Sequence, residues 1–332
     1  MSIGTGLAGS FGASPESTYG VFEAPTKWWN VTKSDIKRRP NVVQGGGLAG
    51  GRMAELGSRR VITHEDAGGT VDGMEVTSKG MNFWIDQIMG GSGAPVQQGA
   101  GPAYLLSRAV ADNVGKSFSG QTGVPDTSGV VRPYTAKGCK VTAVTFSCER
   151  GGLLTMVPTI DARQLSEVET MAAPSEVTGV RPFHFRQLTV KLGTLGAEAS
   201  IDGIKGMSLT LERAQDVERI YAGSNGLKSE PLMSDFLKVS GSLNADFLNK
   251  ATLADRFAAD SSFALIFEWV GPLIASTYYE TFRIKLPMNF LDGDSPVLDG
   301  PGIVTGAFPF STKLDGTNPL VTLESISVDT TL

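Results

Sequence analysis

The sequence predicts an all-β fold, a β-sandwich or barrel-like body with one flanking α-helix, from three observations. Apolar and polar residues alternate with period two through several long runs, as in strands with one buried face. Glycine supplies 41 of 332 residues while charged residues make up only 19%, a balance that favours turns and sheets over long solvated helices. A single stretch carries apolar residues at helical spacing. A chain of this length can bury a sizeable core.

The first twenty residues include five glycines and little apolar content, so residues 1–25 are expected to form a flexible arm ahead of one β domain spanning 26–332. A first short strand is expected around Trp28 and Trp29, and a strand or hairpin over 66–76. After Ser78, read as an N-cap, Met81, Trp84, Ile85, Ile88 and Met89 form a helical stripe that Gly90 ends. Residues 91–137 are rich in glycine, proline and serine and read as a long loop or a hairpin leaving the body.

The second half alternates more clearly. Val141, Ala143, Thr145 and Ser147 interleave with Thr142, Val144, Phe146 and Cys148, and Arg150-Gly151-Gly152 turns the chain into 153–162. Met207, Leu209 and Leu211 alternate with Ser208, Thr210 and Glu212. In 237–247, Leu237, Val239, Leu243, Ala245 and Phe247 face one way, and Lys238, Ser240, Ser242, Asn244 and Asp246 the other. Further strands are expected over 263–269, 278–286 and 320–328. The pairs 139–165 and 207–247 follow one plan, which suggests two packed sheets. Cys139 and Cys148 are nine positions apart, an odd separation that puts them on opposite faces of an unbroken strand and too far apart to bridge.

The net charge of −5 argues against a dedicated nucleic-acid binder, which needs a basic face. Lys37, Arg38 and Arg39 form the only basic triplet. The most apolar run, 263–275, is too short and too interrupted to span a membrane, and the opening lacks the pattern of a secretory signal; a soluble protein made in the cytosol is expected. Gly45, Gly47 and Gly50 spell the G-x-G-x-x-G of a dinucleotide turn, but Pro40 precedes them closely and Gly57 breaks the only helical turn after them, so a flexible glycine linker is the expectation. His64-Glu65-Asp66 reads as a surface cluster, since adjacent strand residues point alternately and cannot share one metal. His184, between Phe183 and Phe185, reads as a packed strand histidine. No nucleophile elbow or nucleophile–base pair is visible. No enzyme activity, cofactor or metal is expected.

Several segments resemble those of the tail tube (major tail) proteins of long non-contractile-tailed bacteriophages, in the actinobacteriophage form. They are "SFGASPESTYGVFEAPTKWW", "GSRRVITHEDAGG" with its succeeding helix, "GCKVTAVTFSCERGGLLTMVPTIDARQ", "TYYETFRIKLPMNF" and "AFPFSTKLDGTNPLVTLESISV". The resemblance implies a virion protein made in the host cytoplasm, whose subunits form hexameric rings. The rings would share a continuous β-barrel and stack head-to-tail into a channel for the genome. It implies as partners other copies of the chain, a tape measure protein inside the tube, tail terminator and tail-tip proteins at its ends, and double-stranded DNA in transit without specific binding; no membrane is implied.

On that resemblance Thr155, Thr159, Asp161, Ser240, Ser242, Asn244 and Asp246 either line the channel or form an ordinary solvent face. The arm and 91–137 are candidates for ring-to-ring contacts. Two other readings stand beside this one: a capsid decoration or tail-tip receptor-binding β-sandwich, and a dinucleotide-dependent enzyme resting on Gly45, Gly47 and Gly50.

Overall fold

A computed structural model describes residues 4–47, 51–247, 254–293, 301 and 303–332. The first third holds β1 (Ser10–Pro15), β2 (Lys27–Trp29), β3 (Lys33–Ser34), β4 (Lys37–Gln44), β5 (Arg60–Asp72), β6 (Met74–Glu75), α1 (Met81–Met89), β7 (Val96–Gln97) and β8 (Tyr104–Ala109). The middle holds β9 (Phe118–Pro125), β10 (Val131–Glu149), β11 (Thr155–Ala162), β12 (Gln164–Ser166), β13 (Leu188–Thr194), β14 (Ala197–Ser200) and β15 (Ile204–Glu212). The last third holds β16 (Gln215–Asp216), β17 (Leu232–Met233), β18 (Lys238–Asp246), α2 (Ala254–Ala258), β19 (Phe263–Ala275), β20 (Tyr278–Leu291), β21 (Thr305–Thr312) and β22 (Thr322–Ser327).

Antiparallel pairing arranges these strands into two large walls. One runs β7-β8-β22-β20-β19-β13-β14. The other runs β21-β18-β15-β10-β11-β5-β4. They join because β20 pairs with β22 through Thr281–Lys285 and with β21 through Asn289–Leu291. The apolar faces meet between the walls: Phe282 lies 5.9 Å from Phe146, and Phe267 lies 6.4 Å from Phe310. The mostly β, antiparallel architecture with one helix of substance is the fold class the sequence predicts.

A smaller sheet, β2-β1-β9-β10-β12, shares the long strand β10. Helix α1 packs between it and the walls. Phe83 and Trp84 touch Trp29 and Phe118 at ring distances of 5.1–5.8 Å, so all nine helix residues are buried, polar ones included. Asp86 is tolerated there because Lys116 Nζ donates to it at 2.8 and 2.9 Å and Arg108 lies 3.4 Å away. Arg213, also buried, donates twice to the Ile88 carbonyl, at 3.0 and 2.8 Å, and once to that of Ala111. A cation there suits the negative end of the helix dipole, while burial pushes its pKa down to about 10.

Four local expectations are corrected. The segment expected to be a flexible arm contains β1, paired on both sides with Phe11 and Ala13 in the core. Its anchor is Glu16: this buried carboxylate accepts from Ser117 Oγ, Ser119 Oγ and the Gly20 and Gly138 N–H groups at 2.7–2.8 Å, which offsets the cost of taking its charge out of water. Residues 91–137 are not one loop; β7, β8, β9 and the start of β10 weave them into the sheets. Ser78 does not cap α1. Gly80, with φ of 79°, precedes the helix, and Asp329 accepts its N–H at 2.6 Å. Finally, the register of β10 against β11 shifts between Val141 and Ala143, which inverts the alternation and turns both Cys139 and Cys148 into the core as free thiols.

Candidate functional site

The outward face of the β11-β10-β15-β18-β21 wall is built from small hydroxyl residues at alternate positions. Cross-strand register sets Ser147 opposite Thr155 and Ser208, and Thr145 opposite Val157 and Thr210. It continues with Ser208 opposite Ser242 and Thr210 opposite Ser240, then Ser242 opposite Pro309 and Ser240 opposite Ser311. Thr159 lies opposite Ala143 at the β11 edge. The inward residues of the same strands, Val144, Phe146, Leu209, Leu211, Leu243 and Phe310 among them, are buried, so the outward set is a consequence of the pleat alone.

The hydroxyls are partly satisfied by one another. Thr145 and Thr210 pair at 3.0 Å, and Ser147 and Thr155 at 3.0 Å. Gly241 is needed for the close packing of this sheet: a Cβ there would collide with the Ser208 carbonyl oxygen and the Phe310 ring. Charges are confined to the margins. At one end Asn244 donates to Glu149 at 3.3 Å and Lys205 is ion-paired with Asp246; at the other, Glu212 faces Lys238. A neutral interior of this kind offers phosphates no cation with which to displace counterions.

Six of the seven residues singled out from the sequence lie on this face or its rim: Thr155, Thr159, Ser240, Ser242 and Asn244, with Asp246 at the edge. Asp161 does not. It shares their parity along β11, but Lys228 lies over it: its Nζ donates to Asp161 at 2.6 Å while also pairing with Asp66. Burial raises its pKa to about 6, against the pull of Lys228. Parity shows the side of a strand, not what folds across it. Sequence reasoning did not single out Thr145, Ser147, Ser208, Thr210 and Ser311. The signal was there for the first four, in the alternating runs that hold them.

The opposite wall carries a different outward face. Glu268 is bound by Lys191 at 2.5 Å and by Arg283 Nε at 2.8 Å; Glu324 is bound by Arg283 Nη1 and Lys285 Nζ at 2.7 Å each. Register places Glu268, Arg283, Glu324 and Ser107 directly opposite one another across β19, β20, β22 and β8, so the charges form a ladder. Burial pushes both carboxylates up, but these hydrogen bonds outweigh it and hold them below the ordinary value of 4.5.

The other candidates are dispersed. Asn41 and Thr63 lie 3.3 Å from His64 Nδ1, while Glu65 pairs with Arg38 and Asp66 with Lys228; the three adjacent residues thus serve separate partners. His184 caps a 3-10 turn over Phe185–Gln187 instead of lying within a strand. Of the glycine fingerprint, Gly50 lies outside the described residues. Gly45 comes directly after an exposed edge strand, β4, and the described residues after position 50 form turns and a 3-10 segment at Gly57–Arg59 in place of a helix. Among the described residues no helix is long and apolar enough to cross a membrane.

A family model described as phage tail tube protein matches residues 6–312. A search of curated proteins finds no match.

Proposed function

This chain belongs to the phage tail tube protein family; it is a structural protein of the virion, not an enzyme, and from that premise we propose how its surfaces build a tube. Tail tube proteins self-assemble. Copies of this chain close into hexameric rings, the rings stack head-to-tail, and the hydroxyl face of the β11-β10-β15-β18-β21 wall lines the bore. Strand edges of neighbouring copies complete one another's backbone ladders there, which removes the unpaired edges that isolated sheets leave exposed.

One observation carries this assignment: hydroxyls fill both rows of the outward face on β10, β15 and β18 and one row each on β11 and β21, where Val157 and Pro309 take the other, and the interior of the face holds no charged side chain. A duplex sliding past neutral hydroxyls meets neither capturing cations nor strong repulsion. The charged ladder of the opposite wall then faces away from the DNA. A tape measure protein fills the bore before the genome does, and terminator and tip proteins close the ends. The likeness of the N-terminal, central and C-terminal segments to the actinobacteriophage proteins supports that form of the family.

Negative-stain microscopy of the concentrated protein tests the reading. Rings or uniform tubes with a central channel are expected; discrete particles with no channel would overturn it. A reconstruction of the tube would place the wall directly, with Ser240 and Thr210 at the bore surface.

A further inference from the structure

The chain between β15 and β18 folds into an arm with its own backbone bonds. Ser234 N–H donates to the Ala214 carbonyl at 2.9 Å, Gln215 and Asp216 pair with Met233 and Leu232, and Ser229 N–H reaches the Arg219 carbonyl at 2.8 Å. A bridge between Ile220 and Lys228 and a tight turn over 224–227 complete this hairpin.

Polar clasps hold the arm to the body. Lys228 Nζ donates to Asp161 on β11 at 2.6 Å and also pairs with Asp66 on β5. Glu230 pairs with the buried Lys140 of β10 at 2.5 Å and accepts the Gly115 N–H at 2.7 Å, while Gln215 donates to Asn113 at 2.8 Å. Apolar contact contributes little. Pro231 is the one buried apolar residue of 214–236, and none of Val217, Ile220, Tyr221, Leu227, Leu232 and Met233 packs against the hydrophobic core.

The tip of the arm takes over a strand edge where β11 leaves it. Strand β11 pairs with β5 over Ala67–Thr70, and two residues earlier the Gly226 carbonyl accepts the Glu65 N–H at 3.1 Å. Gly226 has φ of 74°, and a Cβ there would stand 2.9 Å from the Thr63 carbonyl oxygen and 3.0 Å from His64 Cα. Glycine is what lets the turn approach the edge so closely, and an edge so covered is closed to other strands.

We propose that the 214–234 hairpin is a guard that swings off the body as one unit, with Lys228 and Glu230 as its clasps, and so regulates access to the β5 edge at Glu65. An apolar lock would tie the arm to unfolding of the core. Charged clasps do not, because closing takes Lys228 and Asp161 out of water, and Asp161 Oδ2 finds no hydrogen-bond partner there. Opening returns water to both groups, which offsets much of the lost attraction, so the arm can open while the walls stay folded. The device belongs to the single subunit and stands apart from the tube reading.

Native-state hydrogen exchange of the full-length protein at low denaturant concentrations, read residue by residue by mass spectrometry, tests it. The Glu65 and Gly115 amides donate to the arm from places fifty residues apart in the chain. Both are expected to exchange through one opening whose rate responds weakly to denaturant, whereas amides of β10 and β15 respond steeply. Lys228→Met with Asp161→Asn removes one clasp without stranding the buried carboxylate; it should speed exchange at Glu65 and Gly115 about 10-fold or more and leave β10 and β15 unchanged. A denaturant response at Glu65 as steep as that of the walls would overturn the proposal. So would a Gly115 amide that does not follow Glu65 in the variant, or equal acceleration of β10 and β15, which would make the clasp part of the core.

Discussion

The two outward faces of the molecule answer the same sequence pattern with opposite chemistry. On the β11-β10-β15-β18-β21 wall the outward positions are small hydroxyls; on the β13-β19-β20-β22-β8 wall they are Lys191, Glu268, Arg283, Glu324 and Lys285, locked together in hydrogen-bonded pairs. Period-two alternation specifies only that a face is not core. What the face does depends on whether its polar groups are charged, and on whether they already have partners. Three cations against two carboxylates would make the ladder a phosphate trap if it faced DNA, whereas the hydroxyl wall keeps its cations, Lys205 and Lys238, at the margins, each beside a carboxylate.

The sharpest way to break this contrast is to put cations on the neutral wall. Thr210→Lys with Ser242→Lys should leave folding nearly unchanged, yet give tubes that retain duplex DNA, with binding that falls by orders of magnitude between low and high salt. Salt-independent or absent binding in assembled tubes of the variant would mean that this wall is not the bore.

Stability should respond on the other wall. Glu324→Ala strips Arg283 and Lys285 of a shared acceptor that is itself largely buried. A loss of about 2–3 kcal/mol is expected after allowing for the part-exposed cations, measured by denaturant unfolding. A loss below about 0.5 kcal/mol would show the ladder to be ornamental.

The walls should also separate by pH. Glu268 and Glu324 are held below 4.5 when folded, so their contribution is present above that pH and drains away as pH falls further. Asp161, raised to about 6 from an ordinary 3.8, binds its proton more tightly in the folded state, so its contribution to stability increases as pH falls from 6 towards 4. Thermal melts across pH 3–7 should therefore change shape with Asp161→Asn between 4 and 6, and with Glu324→Gln below 4.5. The same change in both variants would contradict the assignment.

The smallest effect belongs to the hydroxyl pairs. Thr145→Val removes one partner of Thr210 at a half-exposed position where water replaces it, and should cost about 0.5–1 kcal/mol in a melt or denaturant series.

Much of this architecture was legible in the sequence. The alternation of 207–212 and 237–247 states its faces outright, because burial on one side leaves a period in the residues; the stripe of Met81 to Met89 marks the helix but not that Asn82, Asp86 and Gln87 are buried as well. What stayed hidden depends on distant partners. Strand β1 is seated by Glu16 through donors from β9 and β10, about a hundred positions away; β8 and β9 are strands with glycine or serine among their residues that owe their pairing to neighbours on both sides. Asp161 has the right parity and the wrong surroundings, since only the fold brings Lys228 over it. The bulge after Val141 hides one inserted residue in an otherwise regular run, and so misplaces Cys139 relative to Cys148.

Strand β20 is stitched into both walls, through Thr281–Lys285 on one and Asn289–Leu291 on the other. A sideways load on either wall is therefore carried across by covalent chain and backbone ladder rather than by greasy contact alone. In the tube proposed above, with these walls as inner and outer skins, such units would act as one thick shell, stiff against shear between the skins, so bending would be taken up at the joints between subunits and not within them.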